Sequence, residues 1–338
     1  MPSATAPSLT APSDTRPDQL DDIPGWFFAN DRLLFDWFLG HHQRDVHGDL
    51  LELGVYLGKS AIMLGRHLHP DEILTVCDLF DSDAADDANS AEMAGSYRSK
   101  LTRDRFEENY LAFHERLPEI IQAPTSVLAD GRVREGSCRF VHVDASHLYE
   151  HVAGDIQVAR KALMPDGVVV LDDYRSEHTP GVAAAVWEAV LRHGLRPICI
   201  SSQKFYGTWG DPEPARAGLS GAIAKWPGRR AGGQTLVGES FVQLWGKGEP
   251  PAFPPSRFHA ELEAERAAAA KERKREEHAA RAARDEEALA AAEAEERQTR
   301  AAREAAARQP SARLKRVAVD LLPPVVTRAV VRGRRRRT

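Results

Sequence analysis

The run Leu51-Glu52-Leu53-Gly54-Val55-Tyr56-Leu57-Gly58-Lys59-Ser60 constrains the fold of this 338-residue chain more than any other. Apolar residues open it, two glycines stand four apart, and a helical pattern follows, which predicts a strand, a tight turn and a helix start. Glycine lets a backbone approach a ligand with no Cβ in the way. Free amides at a helix N-terminus are hydrogen-bond donors, and Ser60 is placed to cap them. The spacing is Gly-x-x-x-Gly. It is neither the Gly-x-Gly-x-x-Gly of dinucleotide binders nor a Walker A loop, although Gly58-Lys59-Ser60 mimics the end of one. Glu52 precedes the first glycine and favours a ligand with positive charge. The amine or sulfonium of S-adenosylmethionine fits that better than a pyrophosphate does.

Strand and helix signals alternate along the following two hundred or so residues. Asp49 to Leu53, Ile73 to Cys77, Glu119 to Gln122, Cys138 to Val143, Val168 to Leu171, Arg196 to Ser201 and Ser240 to Trp245 read as strands. Lys59 to His67, Arg98 to Phe113, His151 to Leu163 and Gly181 to His193 read as helices, and Met164-Pro165-Asp166-Gly167 as a stop. Aromatic and apolar residues recur at helical spacing from Gly25 to Phe38. The pattern predicts an α/β fold, a doubly wound, Rossmann-like, mostly parallel sheet. Ligands of such sheets sit beyond the C-terminal strand ends. Residues 81–97 and 204–238 read as long insertions framing an acceptor pocket.

Three acids end neighbouring strands: Asp144 after Phe140-Val141-His142-Val143, and Asp172-Asp173 after Val170-Leu171. Adjacent strands would bring all three to one rim, where carboxylates repel unless a cation holds them. Hard oxygen ligands suit Mg²⁺ or Ca²⁺.

Motif and acids together resemble class I methyltransferases, in particular the small-molecule O-methyltransferases related to catechol O-methyltransferase and to macrocin-type sugar O-methyltransferases. Val143-Asp144-Ala145-Ser146-His147-Leu148-Tyr149-Glu150 looks like the D-x-x-H-x-Y signature of a bacterial subfamily. Leu163 to Tyr174 looks like its segment ending in Asp-Asp-Tyr, with Asp166 in place of a glycine. The resemblance covers roughly residues 49–245. It implies a divalent metal, Mg²⁺ for preference, on Asp144, Asp172 and Asp173. It implies S-adenosylmethionine held by Glu52, Gly54, Tyr56, Gly58 and Ser60, with Asp78 after strand two on the ribose hydroxyls and Ser126, beside Thr125, near the adenine. His147 takes the position of the catalytic Lys of the catechol enzymes and is the candidate base; packing against the adenine is its alternative role. In the sugar enzymes the base is an Asp one residue earlier, where this chain has Ser146.

The net charge of −5 hides a division. From Ser256 onward there are 21 Lys and Arg against 14 Asp and Glu, a balance of +7, which leaves −12 for the rest. An acidic body argues against nucleic acid as a partner. Residues 1–22, rich in Pro, Ser, Thr and Ala, read as a disordered leader with no secretory signal. Residues 23–250 form the methyltransferase-like domain. Residues 256–309, nearly all Ala, Glu, Arg and Lys, read as a charged helix, coiled coil or charged disordered tail. Residues 310–338 alternate apolar runs with arginine clusters. Such a tail suits peripheral contact with an anionic membrane, and equally a partner protein or a polyanion. Cys77, Cys138 and Cys199 form no C-x-x-C pair and read as buried reduced thiols of a cytoplasmic protein. A homo-oligomer is compatible with all of this.

The expected function is metal-assisted O-methylation of a hydroxyl on a sugar or small natural product. The rival expectation is a non-catalytic scaffold of the same fold whose tail does the binding. An NAD-dependent oxidoreductase is disfavoured by the glycine spacing.

Overall fold

The structure is a computed structural model and describes residues 16–84, 90, 101–236 and 238–308. Most of the acidic stretch 81–97, residues 1–15 of the leader and the segment 310–338 lie outside the described residues.

Nine strands form one sheet: β1 (Asp49–Leu53), β2 (Leu74–Asp78), β3 (Glu119–Gln122), β4 (Cys138–Val143), β5 (Leu163–Leu171), β6 (Arg196–Ile200), β7 (Phe205–Thr208), β8 (Arg229–Leu236) and β9 (Glu239–Gly246). Their spatial order is β3-β2-β1-β4-β5-β7-β6-β9-β8. The first five are mutually parallel. β7 runs antiparallel to both its neighbours, and β8 antiparallel to β9. The expected doubly wound, mostly parallel sheet is present.

Side chains alternate across the sheet with period two. Leu50, Val76, Phe140, Val168 and Val170 face a core built with α1 (Ala29–Trp37), α2 (Lys59–Arg66), α3 (Arg103–Phe113) and α6 (Glu213–Ile223). Leu51, Leu53, Cys77, Val141, Val143, Val169 and Leu171 face the opposite core, with α4 (Tyr149–Ala162) and α5 (Pro180–Arg192). Helices on both faces explain why the central strands read as unbroken apolar runs. All three cysteines are buried and free.

Four expectations need correction. Residues 16–22 are not a loose leader: Leu20 is buried, and the Asp18 carbonyl accepts the Ser256 amide at 2.7 Å. β5 begins at Leu163, because the Pro165-Asp166-Gly167 stretch is carried as a register irregularity against β4 rather than as a stop. Residues 204–238 hold β7, α6 and β8 instead of one long loop. Ser60 does not cap α2; Gly58, at φ 93°, is the N-cap residue, with no side-chain cap bond.

α7 (His259–Arg308) is one helix of 50 residues, about 75 Å at 1.5 Å per residue. Beyond Leu262 it forms a separate unit whose charged faces carry ion pairs three and four residues apart, such as Arg266–Glu263 and Arg297–Glu293. No described helix is long and apolar enough to cross a membrane.

Candidate active site

One cavity of about 920 Å³ opens at the C-terminal ends of β1, β2, β3, β4 and β5. This is where a doubly wound sheet binds its ligands, since the strand order changes direction between β1 and β4.

The glycine turn after β1 forms part of its wall through Gly54, Val55, Tyr56, Lys59 and Ser60. Gly54 sits at φ 79°, and a Cβ there would stand 2.5 Å from Ala145 Cα. The expected reason for this glycine was approach to a ligand; what approaches is the backbone of Asp144 and Ala145 leaving β4. Asp78 ends β2 and accepts the amides of Val55 at 2.7 Å, Tyr56 at 3.1 Å and Phe80 at 2.7 Å. It thus holds the glycine turn in shape. Burial pushes its carboxyl up, and those three amides and the repulsion of Glu52 adjust the shift. Ser126, Thr125 and Pro124 line the cavity beyond β3.

Glu52 is placed differently from the expectation. It is fully buried, forms no part of the cavity wall, and its Oε1 lies 2.7 Å from His142 Nδ1. Burial pushes it up to about 8, against the opposing effects of Ser60 and Lys204. It supports the floor of the site rather than facing a ligand.

Asp144, Asp172 and Asp173 all line the cavity, yet they do not converge on one point. Ligand atoms of Asp144, Asp172 and His142 lie within 4.8 Å of one another; Asp173 is outside that group. Asp144 is exposed into the cavity while walled by protein, and burial together with the charge of Asp172 holds its carboxyl well above the usual range. Asp173 adopts φ 54°, a left-handed conformation that aspartate tolerates. Its Oδ1 accepts the Ser176 hydroxyl at 2.5 Å and its Oδ2 lies 3.2 Å from His147 Nε2. Burial works against its charge, but His147 and Ser176 hold it below the usual carboxylate range. His147 and Asp173 therefore form a dyad on the cavity wall.

Sequence reasoning missed Lys204. It immediately precedes β7, is 1% exposed, and pairs with Asp172 Oδ2 while its Nζ lies 3.0 Å from His142 Nε2. Burial opposes its charge, but Asp172, Asp144 and Asp31 hold its pKa above the usual lysine range. The signal available was the unbalanced trio of acids itself, which demands a cation. Asp144 and Asp172 still offer hard oxygen donors beside His142, a donor set that fits a divalent cation.

Pro24 to Phe28 also line the cavity, with Trp26 and Phe28 both partly exposed and Trp26 stacked on Tyr56 at 5.9 Å.

Residues 51–174 match the family model described as a methyltransferase domain. Among solved structures the chain is similar to CalS11, a calicheamicin methyltransferase, at 20% identity over 54% of this chain and 79% of that one, TM-score 0.42. It is similar to the O-methyltransferase NovP at 20% identity over 54% and 78%, TM-score 0.42. It is also similar to TomG from Streptomyces achromogenes, an O-methyltransferase of tomaymycin synthesis solved with S-adenosylmethionine, at 19% identity over 66% and 82%, TM-score 0.32. Comparison with curated proteins gave no match. Within the doubly wound sheet, residues 51–174 are the part of the chain that matches a methyltransferase domain.

Proposed function

We propose that this methyltransferase domain transfers the methyl group of S-adenosylmethionine to a hydroxyl of a sugar or small natural product, with a divalent cation assisting. The observation that carries the reading is the continuity of one cavity from the glycine turn and Asp78 to the Asp144–Asp172 rim and the His147–Asp173 dyad.

The chain's own groups divide the work. The turn at Gly54 to Ser60 receives the methionine end, and Asp78 the ribose. Asp144 and Asp172 would hold the cation, Mg²⁺ for preference, which would lower the pKa of a hydroxyl and fix its direction, while Asp173 stays with the dyad. Asp173 orients His147 through Nε2, and the imidazole of His147 is the base for the acceptor's proton. The freed oxygen attacks the sulfonium methyl in line, and alignment in the cavity supplies much of the rate. Lys204, paired beneath Asp172, keeps the rim from accumulating three uncompensated charges.

The test is calorimetric titration of S-adenosylmethionine and S-adenosylhomocysteine, with Mg²⁺ and with EDTA, into wild type and Asp144→Asn. Micromolar cofactor binding to both proteins, with a Mg²⁺ heat in wild type alone, supports the reading. Cofactor binding with no Mg²⁺ heat removes the metal and leaves the methyltransferase. No cofactor binding to folded protein leaves the scaffold reading. For residues 310–338 the sequence supports contact with an anionic surface; co-sedimentation with phosphatidylserine vesicles tests it, and retention in the supernatant at low salt rejects it.

A further inference from the structure

We propose that His47, His69 and Glu72 form a binding site for a late first-row divalent cation, Zn²⁺ for preference, at the end of the sheet remote from the cavity.

His47 stands two residues before β1, and His69 lies in the connection between α2 and β2. The two strands are parallel neighbours, so the histidines meet at their N-terminal ends. The cavity opens at the C-terminal ends, roughly 17 Å away along a five-residue strand. None of the three residues lines it. The site therefore stands apart from the methyltransferase reading.

One donor atom from each of the three lies within 4.8 Å of the other two. The imidazole rings are adjacent, with centroids 4.7 Å apart and planes inclined at 50°. Donors on one tetrahedral ion, bound at about 2.0–2.2 Å, stand about 3.4 Å apart, so closing the site takes a movement of about 1 Å. His47 can make it, because its side chain is exposed.

Glu72 holds the other parts in place. Its Oε1 accepts the Gly48 amide at 2.8 Å and its Oε2 the His69 amide at 2.9 Å, so one carboxylate fixes the backbone beside both histidines. Arg139, whose side chain is closed to solvent, fixes the carboxylate in turn, with Nε at 3.0 Å from Oε1 and Nη2 at 2.9 Å from Oε2. The backbone at Gly48 is packed tightly as well; a Cβ there would stand 2.9 Å from the Ser137 carbonyl oxygen. Ligands held by such outer partners bind an ion with little left to order.

The place for the ion is marked by a proton. His69 Nδ1 lies 2.9 Å from Glu72 Oε1. A carboxylate paired with an arginine only accepts, so the proton between them belongs to Nδ1. The ion takes the place of that proton, which passes to Nε2 on the far side of the ring. Nδ1 and Oε1 become two ligands, His47 the third, and water the fourth. Two imidazoles and a carboxylate suit zinc and its neighbours, whereas Mg²⁺ and Ca²⁺ prefer oxygen alone. Only the fold brings the three residues together, so the ion binds the native state and stabilises it.

The experiment is calorimetric titration of Zn²⁺ into the tag-free full chain carrying Asp144→Asn, with Mg²⁺ present, so that the acidic rim of the cavity does not compete. The same background with His47→Ala or His69→Ala is titrated beside it. The proposal expects a site with a Kd below about 50 μM, an affinity at least about tenfold weaker in either variant, and a melting temperature that Zn²⁺ raises in the parent but not in His47→Ala. Weaker binding to the parent overturns it. So does an affinity that His47→Ala leaves within about tenfold, which would put the ion elsewhere and leave Glu72 and His69 a purely structural pair. His47→Ala keeps the Glu72–Arg139 pair, and an unchanged melting temperature without Zn²⁺ shows that only a ligand was removed. Should His69→Ala not fold, His47→Ala carries the criterion alone.

Discussion

Nζ of Lys204 lies 3.0 Å from Nε2 of His142, and both side chains are closed to solvent. An ammonium can only donate, so Nε2 accepts and the imidazole proton sits on Nδ1, which donates to Glu52 Oε1 at 2.7 Å. His142 is therefore neutral; burial, reinforced by Lys204, holds it well below the usual histidine range. The result is a chain from Glu52 on β1, through His142 on β4, to Lys204 beside β7 and Asp172 after β5. Four strand ends are tied together beneath the acidic rim.

Lys204→Met breaks this chain at its only cation. Removing one partner of a buried ion pair leaves the other uncompensated, which typically costs about 3–5 kcal/mol. Urea denaturation of the variant is expected to show a loss of that order, with lowered divalent-ion or cofactor affinity following from a displaced Asp172. A loss below about 1 kcal/mol, the range of an exposed pair, would mean that the pair is solvated in solution.

The strands of the parallel half were legible because each is an apolar run between polar boundaries, and the acids at their ends stood out for that reason. β7 was not legible. Phe205-Tyr206-Gly207-Thr208 is short, carries a glycine and follows a lysine, so it read as insertion; its place is fixed only by pairing with β5 and β6 on either side. Lys204 was hidden with it, since nothing local distinguishes a buried lysine from a solvated one. β8 carries two glycines and offers no apolar alternation. Glu52 was misplaced because sequence tells that an acid precedes a glycine, but not which face of the sheet its side chain takes.

Gly54→Ala tests the turn geometry. The residue needs φ 79°, and the added methyl would overlap the backbone of Asp144 and Ala145. Left-handed strain alone costs an alanine about 1–2 kcal/mol, and backbone overlap adds to it. The variant is expected to melt well below wild type, with cofactor binding lost because Asp144 is displaced. An alanine variant with unchanged melting temperature and affinity would show that the two loops separate in solution.

Glu52→Gln tests the buried carboxyl through pH. A folded pKa raised from 4.5 to about 8 means that the native state keeps a proton the unfolded chain releases. The contribution is then fully present below pH 4.5 and is lost as pH rises through about 8, with a slope of about −1.4 kcal/mol per pH unit between. The glutamine variant lacks this slope. Denaturant titrations from pH 5 to 8 are expected to show wild type losing its advantage over Glu52→Gln as pH rises. Parallel stability curves would mean that Glu52 is ionised in the fold, with His142 as its charged partner.

The dyad makes the last prediction. If His147 takes the acceptor's proton, His147→Asn lowers turnover about 10²–10⁴-fold while cofactor affinity stays within about twofold of wild type. Asp173→Asn leaves His147 in place but removes the carboxylate that orients it, so turnover falls less and the pH at which activity appears shifts. Asp173 contributes the opposite pH sign to Glu52: its folded pKa lies below the usual value, so its stabilisation is present at neutral pH and is lost as pH falls through that lowered pKa. Acid-limb stability should therefore fall in wild type and flatten in Asp173→Asn. Once a hydroxyl acceptor turns over, stopped-time assays on both variants decide the role. A cofactor affinity lowered with turnover intact would reassign His147 from proton transfer to packing against the bound cofactor.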